Sequence, residues 1–260
     1  MTKTILITGA TDGLGRATAI ALARQGHNII AHGRNAQKLE QLKAEVGATL
    51  STVQADMSEL SQVALMGRDL IKTYDRIDVV INNAGVFKTS QPLLSNGMDV
   101  RFVVNAFAPA LLSNLLLPIM PEDGRLVHLS SAAQAPVDFD ALAGKRKLQD
   151  MEAYAQSKLA LTMWSQEFAS KHPHGPVSVA VNPGSLLATK MVREGFGTSG
   201  NDLNIGVDIL IRAALADEFA TASGQYFDND SGQFAQPHPD AAVAAKVAGV
   251  IEGIEAEIAD

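Results

Sequence analysis

The chain has 260 residues, 47% of them hydrophobic, with a net charge of −7 and a pI near 5.4. That length can fill a sizeable core in one α/β domain, and an acidic balance with no basic stripe argues against nucleic acid as a partner. The absence of cysteine excludes disulfides and thiol chemistry and fits a reducing compartment.

Met1 to Ile7 runs straight into a strand without a signal-peptide layout, so a cytoplasmic location is expected. Ile5-Leu6-Ile7 is a short apolar run and reads as a buried strand. Gly9-Ala10-Thr11-Asp12-Gly13-Leu14-Gly15 follows, then a helix from Arg16 to Gln25 that Gly26 ends. Asn28 to His32 is a second strand, Ala36 to Val46 a helix and Leu50 to Gln54 a third strand. Ser58 is expected to cap a helix reaching about Tyr74, before a fourth strand at Ile77 to Ile81. Met98 to about Leu117 reads as one long helix. Its apolar stretch is interrupted by Pro109, Ser113, Asn114 and Pro118, which argues against a membrane span. Arg125 to Leu129 is a fifth strand, Ala153 to Lys171 a helix and Val177 to Val181 a sixth strand. Ile205 to Glu218 and Ala241 to Ile258 are helices, with a last short strand at Gln225-Tyr226-Phe227.

Short apolar runs alternating with amphipathic helices predict a single-domain, doubly wound parallel sheet of Rossmann type with helices on both faces. Two segments, 132–152 and 185–204, break the rhythm. Both follow strands, where an open parallel sheet builds its ligand crevice, so they are assigned to substrate. The first holds Phe139, Leu142, Leu148 and Met151 among charged residues, the second Leu186, Leu187, Met191, Val192 and Phe196. Such residues either line an apolar cleft or pack the loops down, and the sequence leaves both readings open. Gly195, Gly197 and Gly200 give the second loop hinge capacity.

Glycines between a strand and a helix let backbone approach a pyrophosphate at the helix N-terminus. Here the spacing is G-x-x-x-G-x-G rather than the standard dinucleotide fingerprint. After the second strand, Gly33 brings no carboxylate and Arg34 can pair with a 2′-phosphate, which favours NADP(H) over NAD(H); Asp12 is a counterweight. Tyr154 and Lys158 lie one helical turn apart. A tyrosine pKa of roughly 10 is poorly matched to neutral pH, and a nearby ammonium is expected to lower it. The histidines are scattered, and His128, alternating with apolar strand neighbours, reads as a satisfied core residue.

The glycine turn, Asn82-Asn83-Ala84-Gly85 and Tyr154…Lys158, in this order, resemble the short-chain dehydrogenase/reductase family over about Thr4 to Thr189. The resemblance implies roles. Gly9 to Gly15 would hold the pyrophosphate, Asp56-Met57 the adenine, and Asn83-Ala84-Gly85 would pass the adenosine ribose. Ser131, the second of two serines closing the fifth strand, would join Tyr154 and Lys158 as the catalytic serine. Asn105 would hold a water against the lysine. Pro183-Gly184 would meet the nicotinamide, with Leu187 and Thr189 beyond. Thr189 stands six residues after Pro183, one more than is common. Ser131 and Tyr154 are 23 residues apart, a long separation that resembles the branch containing retinol dehydrogenases and protochlorophyllide reductases.

The expected activity is NADP(H)-dependent hydride transfer between nicotinamide and a lipophilic carbonyl/alcohol pair. Tyr154 would exchange the proton, and Ser131 would hydrogen-bond the oxygen as charge develops. No metal is required. An NAD-dependent alcohol dehydrogenase, a redox-neutral epimerase or dehydratase, and a cofactor-sensing protein are the rivals. The resemblance also implies homodimers or homotetramers paired through Met98–Leu117 and Ala153–Lys171.

Overall fold

The computed structural model describes residues 1–236 and 243–259; the Phe196 side chain, side chains from 255 onward, His238 and the expected helix start at Ala241 lie outside the described residues. In chain order the elements are β1 (Thr4–Ile7), α1 (Gly13–Arg24), β2 (Asn28–Gly33), α2 (Ala36–Val46), β3 (Leu50–Gln54), α3 (Leu60–Thr73) and β4 (Val79–Asn82). Then come α4 (Val100–Phe102), a π-helical turn (Val103–Phe107), α5 (Ala108–Leu116), β5 (Arg125–Leu129), α6 (Phe139–Leu142), α7 (Asp150–Lys171) and β6 (Val177–Asn182). The chain continues with α8 (Lys190–Phe196), α9 (Leu203–Leu215), β7 (Tyr226–Asp228), β8 (Gln233–Ala235) and α10 (Ala244–Ala259).

The sheet order is β3-β2-β1-β4-β5-β6-β7-β8, parallel throughout except for β8, which pairs antiparallel with β7. Strand order reverses at β1, so the crevice beyond the carboxyl ends of β1 and β4 is the natural ligand position. Two apolar layers sandwich the sheet. One lies under α3, α5, α7 and α10, the other under α1, α2 and α9. The doubly wound expectation therefore holds.

Several bounds differ for identifiable reasons. α1 begins at Gly13, inside the glycine turn, because Asp12 caps it by accepting from the Gly13 N–H. Ser58 does not cap α3; Glu59 precedes that helix, and both the Ser58 N–H and hydroxyl donate to Asp56. The expected helix 98–117 is divided by the π turn, where the Ala108 N–H reaches back to the carbonyl of Val103. Val100–Ile119 is long and apolar enough to cross a membrane by composition, but its most apolar window is 72% buried inside the fold.

The insertion 132–152 folds onto the body. Leu142 and Leu148 are core residues, and the Lys246 ammonium sits 4.1 Å from the Phe139 ring centroid. The packing reading therefore wins for most of this segment's apolar side chains, with Met151 left exposed. α10 packs along α7, with Val247, Ala248 and Ile251 buried and Lys171 paired with Glu252 at 2.5 Å. That helix therefore covers part of the face through which α5 and α7 are expected to meet a second copy.

His128 is fully enclosed, as expected of a satisfied core residue. Its ring nitrogens meet Asn82 and Ser178 at 3.1 and 3.2 Å, and its ring stands edge-on to Trp164. Burial lowers its pKa to about 3, and that of His32 to about 4. Unfolded, both would titrate near 6.5, so between that value and their folded values the unfolded state binds more protons and stability falls as pH falls. From pH 7.5 to 5.0 the two histidines together are expected to remove on the order of 4 kcal/mol of unfolding free energy. Urea unfolding at those two pH values measures this; equal stabilities would show that neither ring is held neutral.

Candidate active site

The site is built outward from the glycine turn. Gly9 and Gly13 adopt left-handed φ values of +66° and +48°, which only glycine takes easily. Asn83, just past β4, donates from Nδ2 to the carbonyls of Thr8 at 2.8 Å and Gly9 at 3.2 Å, and the Ala84 N–H donates to the Thr8 hydroxyl at 3.0 Å. Asn83-Ala84-Gly85 thus fastens the turn to the end of β4. The first turn of α1 carries no acidic residue, so its N–H groups and dipole favour an anion. A Cβ built on Gly13 would lie 3.6 Å from Cγ2 of Thr189, which caps α8 by accepting from the Val192 N–H. Thr189 therefore reaches the glycine turn despite its added residue of spacing. The loop leading to it turns at Leu186, whose φ is +53°.

Three expected cofactor residues serve packing through their side chains. Leu14 and Leu187 are buried against α9, where a Cβ on Gly206 would strike both. Met57 lies in the core layer of α3, while Asp56 stays partly exposed, 4.0 Å from Arg34. Ala10 is also fully buried. A Cβ on Gly33 would come within 2.5 Å of Thr11, so the end of β2 and the glycine turn are in direct contact. Arg34 is largely exposed at that rim. Sequence reasoning missed Lys38 on α2, whose ammonium pairs with Asp12 at 2.9 Å and holds that carboxyl below the usual aspartate range. Lys38 lies 26 residues from Asp12, so no local pattern signals the pair.

At the other end of the crevice, Ser131, Tyr154 and Lys158 converge beyond β5. The Ser131 side chain hydrogen-bonds the Tyr154 hydroxyl. Ser130 turns inward to Thr162 at 2.8 Å, leaving Ser131 to face the tyrosine. The Lys158 ammonium lies 5.6 Å from the Tyr154 ring centroid and donates to the Leu129 carbonyl at 2.6 Å. Gly85 links the two ends of the crevice: a Cβ there would be 3.6 Å from Lys158 Nζ and 3.4 Å from Asn105 Oδ1.

The electrostatics depart from expectation. Burial raises the Tyr154 pKa above its ordinary value, opposed by the Ser131 hydrogen bond, and burial lowers Lys158 to about 8. The ammonium is spent on the Leu129 carbonyl and faces the ring, so desolvation outweighs its pull on the phenol. Asn105 is also committed. It accepts from the Val86 N–H at 2.8 Å and donates to the Val86 carbonyl and the Ser157 hydroxyl, both at 2.9 Å. Its side chain holds the 85–87 segment against α7, leaving only its backbone for any water.

Further residues brace the site. Tyr226 donates to the Ser131 carbonyl at 3.0 Å, as does Gln134 from the insertion. Asn182 donates to Asp228 and Asp230, and Asn229 donates to the Pro183 carbonyl, so the end of β7 supports the Pro183-Gly184 turn. Phe87 stacks at a tilt on Tyr154, with centroids 5.1 Å apart, and Gly195 of α8 lies against Phe87. The crevice fits a dinucleotide: glycines keep it free of Cβ atoms along its length, a helix N-terminus faces a phosphate position, and cations mark one rim.

The sequence pattern of the family described as short chain dehydrogenase matches residues 3–198. Human retinol dehydrogenase 13 is 32% identical, over 87% of this chain and 76% of its own length. A Streptomyces sp. (strain C5) protein provisionally assigned as daunorubicin C-13 ketoreductase DnrU is 35% identical, over 94% of this chain and 90% of its own. A Shigella flexneri 2a str. 301 short chain dehydrogenase, solved in complex with NADP, superposes with a TM-score of 0.69 at 26% identity, covering 88% of this chain and 97% of that one.

A methyl group at Gly15 would lie 2.3 Å from Asn83 Nδ2 and 2.5 Å from the Gly9 carbonyl oxygen. Gly15→Ala is expected to cost about 1–3 kcal/mol by forcing these groups apart. Gly249→Ala, with open space around it, is the control. Thermal melts of both variants test this; equal midpoints would mean that the turn yields freely.

Proposed function

The chain belongs to the short-chain dehydrogenase family, and on that premise we propose that it is an NADP(H)-dependent oxidoreductase interconverting a lipophilic carbonyl and its alcohol. The observation that carries this reading is the Ser131–Tyr154 hydrogen bond beside buried Lys158, at the end of a crevice that begins at the glycine turn.

A bound nicotinamide supplies or accepts the hydride. The rest of the work belongs to the chain. Tyr154, with its pKa raised, holds its proton at neutral pH and can give it to a carbonyl oxygen. Ser131 shares that oxygen as negative charge develops, and Tyr226 and Gln134 fix its backbone. Lys158, at about 8, is mostly charged at neutral pH and supplies positive potential beside the phenol. A phenol held protonated favours the reductive direction.

Three features support NADP(H) over NAD(H). Gly33 brings no carboxylate to the rim, Arg34 is exposed there, and Lys38 neutralises Asp12. The lipophilic substrate rests on Phe87 beside Tyr154 and on Val192 of α8. It is also supported by relatives named for retinol and for the C-13 ketone of daunorubicin.

NADPH and NADH titrations of wild type and Arg34→Ala test the cofactor, and a panel of lipophilic aldehydes and ketones tests the chemistry. Tight NADPH binding that weakens selectively in Arg34→Ala is expected; equal or tighter NADH binding would overturn the preference. Tyr154→Phe is expected to keep NADPH affinity and lose at least about 100-fold in turnover, because the ring stays and the proton goes. Full activity in that variant would remove Tyr154 from the mechanism.

A further inference from the structure

Two successive amides of the glycine turn end on one residue of the neighbouring strand. The Ala10 N–H donates to the His32 carbonyl at 2.8 Å, and the Gly9 N–H donates to His32 Nδ1 at 3.2 Å. On the far side of the ring, Nε2 stands 3.0 Å from the Ala55 carbonyl. Because Nδ1 accepts, the ring proton resides on Nε2 and is donated to Ala55. The side chain is 1% exposed, and burial keeps it neutral. A neutral imidazole in this one tautomer is a rigid spacer between the glycine turn and the residue preceding Asp56.

We propose that His32 is a positioning residue for nucleotide binding: its imidazole fixes the Gly9 amide, and with it the phosphate-facing turn, at a set distance from the turn that follows β3. This rests on the dinucleotide reading of the crevice. An apolar residue would leave two buried polar groups, the Gly9 N–H and the Ala55 carbonyl, without partners. Gly9 would then be free to rotate about its left-handed φ, and the turn would lose the shape that presents its amides to an anion. The β4 side of the turn, held by Asn83, would remain intact.

The test is NADP+ affinity of the full-length protein at pH 7.5 for wild type, His32→Leu and His32→Asn, with thermal melts and ¹⁵N spectra of the histidine rings. Asn places an acceptor oxygen where Nδ1 stands and so keeps the Gly9 contact while losing that to Ala55. The expected result is affinity weakened about ten-fold or more in His32→Leu and largely restored in His32→Asn, with both variants melting below wild type. Wild-type His32 should show the Nε2–H tautomer. If His32→Leu binds as tightly as wild type while melting lower, the residue only supports the fold and the proposal fails. If His32→Leu does not fold, His32→Asn decides: near wild-type affinity supports the proposal, and a ten-fold loss despite the retained acceptor overturns it, as would a wild-type ring protonated on Nδ1. A wild type that binds neither NADP+ nor NAD+ overturns the dinucleotide reading and this proposal with it.

Discussion

Where the winding of a parallel sheet reverses, two neighbouring strands part company, and their last carbonyls lose their ladder partners. Here those strands are β1 and β4, and the Asn83 amide satisfies the carbonyls of Thr8 and Gly9 together. Everything functional hangs from this staple. It holds the glycine turn that opens α1, and it sets the path of Ala84 and Gly85 toward Lys158. Gly15 packs so closely on the same amide that its side chain must be a hydrogen. Loss of the staple would leave orphaned backbone carbonyls at the point where a ligand must be met by ordered donors.

The chemistry at the far end obeys a different constraint, desolvation. Lys158 and the Tyr154 hydroxyl are both taken out of water, and each is pushed toward its neutral form. The pair therefore begins its work with a proton on the phenol and an ammonium that is easily discharged. The buried Arg101 anchors this arrangement from below. It pairs with Asp99 at 2.6 Å and with Asp150 at 2.5 Å, tying α4 to the first turn of α7, one turn before Tyr154. A buried charge of this kind is costly unless fully paired, and here both carboxylates are supplied.

Much of this was legible in the residues. The bounds of α2, β3 and β5 match their apolar patterns, because a buried strand is a short apolar run and a capped helix announces its ends. Ser131, Tyr154, Lys158 and the glycine turn were found because spacing and chemistry agree there. What stayed hidden depends on tertiary placement. Lys38 meets Asp12 across the β2–α2 connection, and His32 looks like any polar residue in a strand until Gly9 and Ala55 close on it. β8 is short and half-exposed, with little apolar signal. The direction of the Tyr154 pKa could not be read either, since sequence shows the neighbouring ammonium but not the burial that outweighs it.

The π turn at Val103–Phe107 carries a consequence for heredity. Such a turn is an α-helix with one residue too many, and Val103 to Phe107 are all buried. Exchanging one apolar side chain there for another leaves the geometry standing. Removing a single codon would not: the helix would become regular, and all that follows would turn by about 100° relative to what precedes. Asn105 could then keep its grip on Val86 and Ser157 only if Leu112 and Leu116 left the core. In this stretch the protein is therefore more tolerant of altered letters than of a missing one, the reverse of an ordinary surface loop.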